Sequence, residues 1–405
     1  ILKKLNENKL IVTIVGLGYV GLPLALLFGK KLKTFGLDTS KVKIDNLKLN
    51  IDTNRQCKKQ NFVKSKFINF TFNYDIIKKS DVIIVCLPTP INKNKKPDLK
   101  ILKKATNEIA QNMNKNAIII YESTVYPGLI EEVCVPILEK KSNLTWKKNF
   151  YVGYSPERVN PNDKLHTIEK IDKIVSADSP ELLSLIYKLY KKILKNKVVK
   201  CQSIKVAEAA KVLENTQRDI NIALMNELSI ICHKLKIDTK EVIDAASTKW
   251  NFIRFDPGLV GGHCIGVDPY YLKEKSIKIG HFPKIISSGR KINDGMVKFI
   301  FQKISSKIKK KSKSLFIGVT FKEDCNDIRN SKNLELIKYF IKSGFDLDIY
   351  DPIFDIKNDY YINKKKIITN LNDLSRSYKN VILLVPHKFI LEKKKIIINK
   401  ISKGG

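Results

Sequence analysis

Leu10–Asp38 reads LIVTIVGLGYVGLPLALLFGKKLKTFGLD, and the order of its parts decides the fold class. Leu10–Val15 is a short run rich in β-branched residues, the mark of a strand buried on both faces. Gly16, Gly18 and Gly21 follow as G-x-G-x-x-G, with Tyr19 and Val20 between them. Leu22–Lys31 has a helical pattern with Pro23 in its first turn. Thr34–Leu37 reads as a second strand that ends at Asp38, twenty residues beyond Gly18. This is a βαβ unit with an acid at its far end. The first glycine permits the tight turn, the second lets a pyrophosphate approach, and the third lets helix and strand pack closely. Phosphates then rest on the helix amino end, where free N–H groups and the helix dipole favour an anion. Asp38 accepts hydrogen bonds from ribose hydroxyls and repels a 2′-phosphate, so the expected cofactor is NAD rather than NADP. Leu10–Gly29 is uncharged and preceded by lysines, so hydropathy alone would read it as a signal anchor or membrane span. Strand, glycines, helix, strand and acid in that order argue against a membrane role.

The 405 residues are too many for one core and predict two or three domains. A hydrophobic share of 43% and a charged share of 28% fit a globular chain. The net charge of +35 invites a nucleic-acid reading, but only seven of the 75 basic residues are arginine and the lysines run through every segment. A phosphate-binding face would cluster them and use more arginine for bidentate contacts, so no nucleic-acid partner is expected. Seven scattered cysteines without a C-x-x-C pair argue for a reducing cytoplasm and against a disulfide framework. Cys232-His233 and His263-Cys264 lack further ligands at metal spacing, so no metal is expected.

Further strands are predicted at Asp81–Leu87, Ala117–Tyr121 and Phe150–Tyr154, with a helix over Asp98–Met113. Lys41–Tyr74 reads as polar and irregular. The loops after the strands carry Thr89 in Pro88-Thr89-Pro90, Thr124 in ESTVYPG (122–128) and Glu157-Arg158 in SPER (155–158). Ligands bind at that edge of an open α/β sheet. Thr124 could meet a ligand or merely cap the next helix, and Glu157 could be an acid–base group or a surface ion pair. Ile174–Val175 and Val198–Val199 are expected to flank a helix at Pro180–Leu194. A helix from Ser203 to Leu235, roughly 45–50 Å long, is long enough to join two domains. It aligns Lys211, Asn215 and Arg218 on one face, with Val206, Leu213, Ile220, Leu224 and Ile231 on the other. Helices at Asp238–Ser247 and Pro283–Lys309 complete this middle part.

The last segment repeats the α/β grammar: strands at Ser314–Val319, Asp346–Tyr350 and Asn380–Val385, and a helix at Ser331–Ser343. Only Gly318 follows its first strand, so this sheet can hold a nucleotide but lacks the dinucleotide fingerprint. Lys322 and Arg329 in the next loop suit phosphates. Between helices lies NFIRFDPGLVGGHCIGVDPYYL (251–272), which reads as turns throughout. Gly258, Gly261 and Gly262 precede Cys264, and Asp268 follows four residues later. Glycines let backbone approach a ligand, and a thiol is a useful nucleophile only as thiolate in a polar, partly open setting. A free cysteine is otherwise a small buried hydrophobe.

Together GLGYVGLPLA, CLPTP, ESTVYPG, SPER, GGHCIGVDPYYL and FKEDCNDIRNS (321–331) resemble the UDP-sugar 6-dehydrogenases, in order and over almost the whole chain. The last two look most similar to the branch that oxidises UDP-N-acetylglucosamine or UDP-N-acetylgalactosamine for surface polysaccharide. The resemblance implies an α/β fold: two Rossmann-like doubly wound sheets joined by a long central helix and a helical middle domain. The parts it implies are an NAD-binding domain at 1–200, a helical dimerisation domain with the cysteine loop at 201–300, and a UDP-sugar-binding domain at 301–405. It implies an NAD-dependent oxidoreductase, a cytoplasmic homodimer or higher homo-oligomer, that converts the sugar C6 alcohol to a carboxylate. Cys264 would be the nucleophile, Lys211 and Asn215 would stabilise oxyanion charge, and Asp268 would orient Lys211 or a water. Glu157 would be the general base of hydrolysis, and Thr124 would lie between cofactor and C6. Gly16, Gly18, Tyr19, Val20, Gly21, Asp38, Thr89, Thr124 and Arg329 would serve the cofactor. Glu157, Arg158, Lys211, Asn215, Arg254, Gly261 and Lys322 would serve the sugar nucleotide. Related alternatives are a UDP-glucose or UDP-N-acetylmannosamine 6-dehydrogenase, or a non-catalytic NAD-binding relative. Departures from the pattern are Pro161, where some relatives place a second acid, and ends at Ile1 and Gly405 that suggest a longer chain.

Overall fold

The structure is a computed structural model and describes residues 1–54, 56–159, 167–354, 361–374 and 377–399; Pro161 lies outside the described residues. The chain forms two compact units, Ile1–Glu214 with Tyr270–His281, and Asn215–Pro269 with Phe282–Gly405.

The first unit holds an eight-stranded sheet. Its strands are β1 (Ile11–Val15), β2 (Lys33–Leu37), β3 (Ile68–Thr71), β4 (Val82–Val85), β5 (Ala117–Tyr121), β6 (Phe150–Tyr154), β7 (Lys173–Ala177) and β8 (Val198–Lys200). They lie in the order β3-β2-β1-β4-β5-β6-β7-β8, parallel except for β6 against β7. The first six strands have the order 3-2-1-4-5-6 of a dinucleotide-binding sheet, whose switch point falls between β1 and β4. Val12, Ile14, Ile84 and Ile120 are fully buried, as strands covered on both faces require. The helices of this part are α1 (Leu2–Asn6), α2 (Gly21–Gly29), α3 (Lys41–Lys48), α4 (Lys59–Lys64), α5 (Lys100–Asn112), α6 (Val135–Ser142) and α7 (Pro180–Ile193). Leu22, Leu24, Leu26, Leu27 and Phe28 are all buried, so α2 is apolar all round because it is enclosed. Among the described residues no helix is long and apolar enough to cross a membrane.

Residues 41–74 are not irregular as their polarity suggests. They build α3, α4 and the edge strand β3, followed by a 3₁₀ turn over Tyr74–Lys79. A few apolar residues suffice, because Ile44, Leu47 and Phe62 join the core beside the sheet. Ser40 caps α3 by accepting a hydrogen bond from the Lys43 N–H.

Helix α8 (Ile204–Leu235) runs unbroken across the division between the two units. Its period sorts polar from apolar residues, but burial does not follow that division. Glu208, Lys211, Thr216, Asp219 and Asn226 are buried, while Val206, Leu213, Leu224 and Ile231 are exposed and Arg218 stands in solvent.

The second unit adds α9 (Thr239–Ala246), α11 (Lys284–Ser305) and a five-stranded sheet. Helix α10 (Asp268–Lys278) begins inside the stretch that reads as turns throughout. Asp268 and Pro269 explain this start: an acid favours the positive helix end and proline suits the first turn. Helix α11 spans Lys284–Ser305 and α12 Lys332–Lys342, with α13 (Lys388–Glu392) and α14 (Lys394–Ile398) after the last strand. Strands β9 (Ser314–Ile317), β10 (Leu347–Tyr350), β11 (Tyr361–Ile362), β12 (Lys365–Ile368) and β13 (Asn380–Leu383) lie in the order β11-β12-β10-β9-β13. Only β11 pairs antiparallel. Buried Arg290 on α11 donates to Asp219 of α8 at 2.6 Å and to Asp294 at 2.6 Å. Asn293 donates to Asp219 as well, so α8 and α11 are locked by a buried pair whose charges are offset.

Candidate functional site

The dinucleotide turn fits the cofactor its sequence implies. Gly16 has φ +93°, and a Cβ there would stand 2.7 Å from the Cys86 carbonyl oxygen at the end of β4. A Cβ on Gly21 would overlap the Gly16 carbonyl oxygen, whereas one on Gly18 would meet nothing within 4 Å. Two glycines therefore close the turn and the middle one leaves it open, which is the shape a pyrophosphate needs beside the start of α2. Asp38 ends β2 and accepts from the Leu17 N–H at 3.0 Å and the Ser40 N–H at 3.0 Å. Lys43 also pairs with it at 2.8 Å, so the acid is fixed at the sheet edge.

Thr89 and Thr124 meet in the same unit, the Thr89 hydroxyl donating to the Thr124 carbonyl at 2.7 Å. Fully buried Tyr271 holds this loop from α10, donating to the Thr89 carbonyl at 2.9 Å. The helix-capping alternative for Thr124 is not what the fold uses, since the π-turn at Ile130–Cys134 has no side-chain cap. Its N–H groups turn instead to Glu208 on α8, which accepts from Gly128 and from Ile130 at 3.1 Å. Burial pushes the Glu208 carboxyl up to about 8, the two N–H donors opposing. A folded-state pKa above the unfolded value means that stability falls as pH rises from about 4.5 to about 8. We expect Glu208→Gln to flatten that fall, by on the order of a few kcal/mol. Unfolding curves at pH 5 and pH 8 check this; identical pH dependence in both proteins would contradict the assignment.

Glu157 is not a surface ion pair. Its Oε1 accepts from the N–H groups of Arg158 at 2.7 Å and Val159 at 2.6 Å, and its side chain is nearly buried. Lys173 stands 3.7 Å from the other oxygen. Glu157 also lines a cavity of about 190 Å³ together with Tyr19 and Val20, so it shares a space with the dinucleotide turn. Arg158 turns aside to Glu214, at 2.8 Å, and to the Asp172 carbonyl. Lys211 is buried on α8, one turn before Asn215.

In the second unit Asn215 donates to buried Asp268 at 2.5 Å. The Cys264 carbonyl accepts from the N–H groups of Val267 at 3.0 Å and Asp268 at 2.9 Å, so a tight turn delivers the cysteine into α10. Cys264 itself is partly exposed, while Cys86, Cys134, Cys232 and Cys325 are buried. Burial pushes the thiols of Cys57 and Cys134 up to about 12, which makes them poor thiolates. The cysteine turn is sewn to the loop after β9. Gly262 donates to the Asn330 carbonyl at 3.2 Å and Asn330 returns a bond to the Gly262 carbonyl at 2.8 Å. Gly261 is required there, since its Cβ would stand 2.5 Å from the Asn330 carbonyl oxygen. Arg254 lies at the surface, paired with Asp244 at 2.7 Å and Asp256 at 3.1 Å.

Lys322 lies in the loop after β9, its ammonium 5.7 Å from the Phe321 ring centroid. Arg329 grips Asp327 through Nε and Nη2, at 3.1 and 2.6 Å, while remaining largely exposed. This loop and the one after β13 flank the switch point of the second sheet, the edge where α/β sheets take ligands. Fully buried His387 ties them together: Nδ1 accepts from the Asp324 N–H at 2.9 Å and Nε2 faces Asp351 at 3.3 Å. Burial alone would raise the Asp351 carboxyl, but His387 and the N–H groups of Val319 and Ile353 hold it below its usual range.

Sequence reading missed Glu208, Lys173, Tyr271, His387 and Asn330 as positioning groups. Their common signal is polarity in an apolar setting, such as a lysine opening the strand KIVSA or a histidine after NVILLVP.

Three models of one family match the chain. They are the NAD binding domain of the UDP-glucose/GDP-mannose dehydrogenase family over residues 10–194, its central domain over 205–295 and its UDP binding domain over 315–402. A UDP-N-acetyl-D-glucosamine 6-dehydrogenase of Salmonella typhi is 45% identical, over 93% of this chain and 90% of that protein. One of Pseudomonas aeruginosa is 48% identical, over 84% and 82%. The structure of a UDP-D-ManNAc dehydrogenase from Pyrococcus horikoshii superposes with a TM-score of 0.84 at 27% identity, covering 97% of this chain and 93% of that one. With its glycine turn, its cysteine turn and its second nucleotide sheet, this chain is an NAD-dependent oxidoreductase that belongs to the UDP-glucose/GDP-mannose dehydrogenase family.

Proposed function

We propose that this chain oxidises the C6 alcohol of UDP-N-acetylglucosamine or UDP-N-acetylgalactosamine to the uronic acid. The observation that carries the reading is the cysteine turn sewn to the loop of the UDP binding domain through Gly262 and Asn330. A nucleophile attached to the nucleotide-holding part is placed to keep hold of a sugar through two oxidations. The identities of 45% and 48% with UDP-N-acetyl-D-glucosamine 6-dehydrogenases support the N-acetylhexosamine.

NAD⁺, when bound at the turn of Gly16, Gly18, Tyr19, Val20 and Gly21, accepts the hydride leaving C6 in each oxidation. The chain's own groups do the rest. The Cys264 thiolate adds to the C6 aldehyde, giving a thiohemiacetal, and loss of the second hydride leaves a thioester on the sulfur. Glu157 takes a proton from water, the hydroxide opens the thioester, and the thiolate is released with the sugar carboxylate. Lys211 and Asn215 stabilise the oxyanions, and Asp268 orients Asn215. Thr89, Thr124, Asp38 and Arg329 serve the cofactor, and Arg158, Arg254, Gly261 and Lys322 the sugar nucleotide. The reaction belongs to the cytoplasm, as seven scattered cysteines without a C-x-x-C pair suggest. The exposed stripe of Val206, Leu213, Leu224 and Ile231 fits a second copy of the chain; light scattering is expected to give twice the chain mass, and a single mass would refute it.

A panel of UDP-sugars tests the substrate. UDP-N-acetylglucosamine and UDP-N-acetylgalactosamine are expected to exceed UDP-glucose and UDP-N-acetylmannosamine in kcat/KM by tenfold or more, about 1.4 kcal/mol. The reverse order would move the chain to one of those sugars, and NAD binding without NADH from any of them would make it a non-catalytic relative.

A further inference from the structure

One buried charge cluster has no place in the chemistry above. Glu122 follows β5 directly, and its side chain is fully buried. It accepts from Lys173 at 2.6 Å on one oxygen and from the Tyr190 hydroxyl on the other. Lys173 is itself buried, its side chain only 6% exposed, and it also donates to the Pro156 carbonyl at 3.2 Å. Its ammonium lies 5.5 Å from the Tyr190 ring centroid. The topology explains the meeting. Strand β7 runs antiparallel to β6 with Tyr154 opposite Ser176, and continuing that register sets 157 against 173. The first residue of β7 thus falls at the carboxyl edge of the parallel strands, where ligands bind.

A lysine enclosed with two carboxylates is costly to bury and is kept only when its geometry is good. Here the nearer carboxylate, the tyrosine and a carbonyl fix the ammonium, and Glu157 Oε2 is the remaining anion in front of it. That oxygen accepts no hydrogen bond among the described residues. Its lone pairs are therefore unspent, and the Lys173 ammonium faces them at 3.7 Å.

We propose that Lys173 is a positioning residue for hydrolysis: its ammonium, anchored by Glu122 and Tyr190, orients Glu157 to take a proton from water. The inference rests on Glu157 acting as the base. Other groups around Glu157 do not substitute for the lysine. Cys86 is a buried neutral thiol pushed well up by burial, Arg158 is turned to Glu214, and Lys30 is paired with Glu169 at 2.9 Å on the same cavity. The Glu122 carboxyl is raised by burial against the pull of Lys173, and Lys173 stays above its usual value because both glutamates outweigh its own burial.

The test is the pH profile of kcat for the full chain with saturating NAD⁺ and UDP-N-acetylglucosamine. Glu157→Gln comes first: loss of the acidic limb with most of the turnover assigns that limb to Glu157, and full retained turnover overturns the base and this inference with it. Removing Lys173 alone leaves Glu122 charged and buried, so the comparison is made in Glu122→Gln, which keeps the carboxyl group's shape without its charge. Adding Lys173→Met to Glu122→Gln is expected to move the acidic limb up by about one pH unit or more, the size of effect of losing a cation at this range. Lys173→Arg is expected to keep the limb near its original place. NAD affinity reports folding in each variant. An acidic limb that stays put when Lys173 is replaced overturns the proposal while leaving Glu157 as the base.

Discussion

Cys264→Ala is expected to lower uronic acid formation by at least about 10³-fold, the scale on which loss of a covalent nucleophile acts. The structure makes this a clean substitution. The turn is held by the Cys264 carbonyl, which takes the N–H groups of Val267 and Asp268, and by the bonds between Gly262 and Asn330. None of these uses the side chain. The residue is partly exposed, so loss of one sulfur leaves no enclosed cavity, and stability should change by less than about 1 kcal/mol. NAD affinity should be unchanged, because Cys264 is not among the residues that serve the cofactor. Acid production at the original rate would remove the covalent route from the account.

Gly21→Ala is expected to weaken NAD binding by roughly 10- to 100-fold and to destabilise the first unit by about 1–3 kcal/mol. The added methyl would overlap the Gly16 carbonyl oxygen and stand 3.0 Å from the Cys86 Cβ. The obstruction is backbone, and Gly16 is itself confined at φ +93° against the end of β4, so neither partner can give way cheaply. The amino end of α2 must move, and with it the N–H groups that face the pyrophosphate. Gly18→Ala makes the contrast: its Cβ meets no protein atom, so it should cost affinity without stability. Quenching of the protein's own fluorescence on titration with NAD and thermal unfolding read both effects. Unaltered NAD affinity in Gly21→Ala would refute the fingerprint's role.

What was legible in the chain was what local rules control. Leu10–Asp38 announced its fold because strand period, glycine spacing and terminal acid agree at every level. The cysteine stretch was legible as a glycine-rich turn, but not the start of α10 inside it, since Asp268 and Pro269 look like turn residues until the helix beyond them is seen. Lys41–Tyr74 was misread because its few apolar residues bury in a core shared with α2, and its last strand is fixed by pairing with β2, neither of which local periodicity shows. The two faces of α8 were legible from its period, but not which residues are enclosed: Lys211, Asp219 and Asn226 turn inward while Arg218 stands in solvent, which periodicity alone cannot register. Lys173 was invisible for the same reason, its role being set by an antiparallel pairing with the strand before Glu157.

The most direct test of the sulfur's role is a count of NADH formed per UDP-N-acetylglucosamine consumed, followed to completion with limiting sugar. Two NADH and a carboxylate at C6, with no aldehyde trapped by an added amine, is the expected result. One NADH with the aldehyde released into solution would show that the sugar is not retained between oxidations, and would contradict the account.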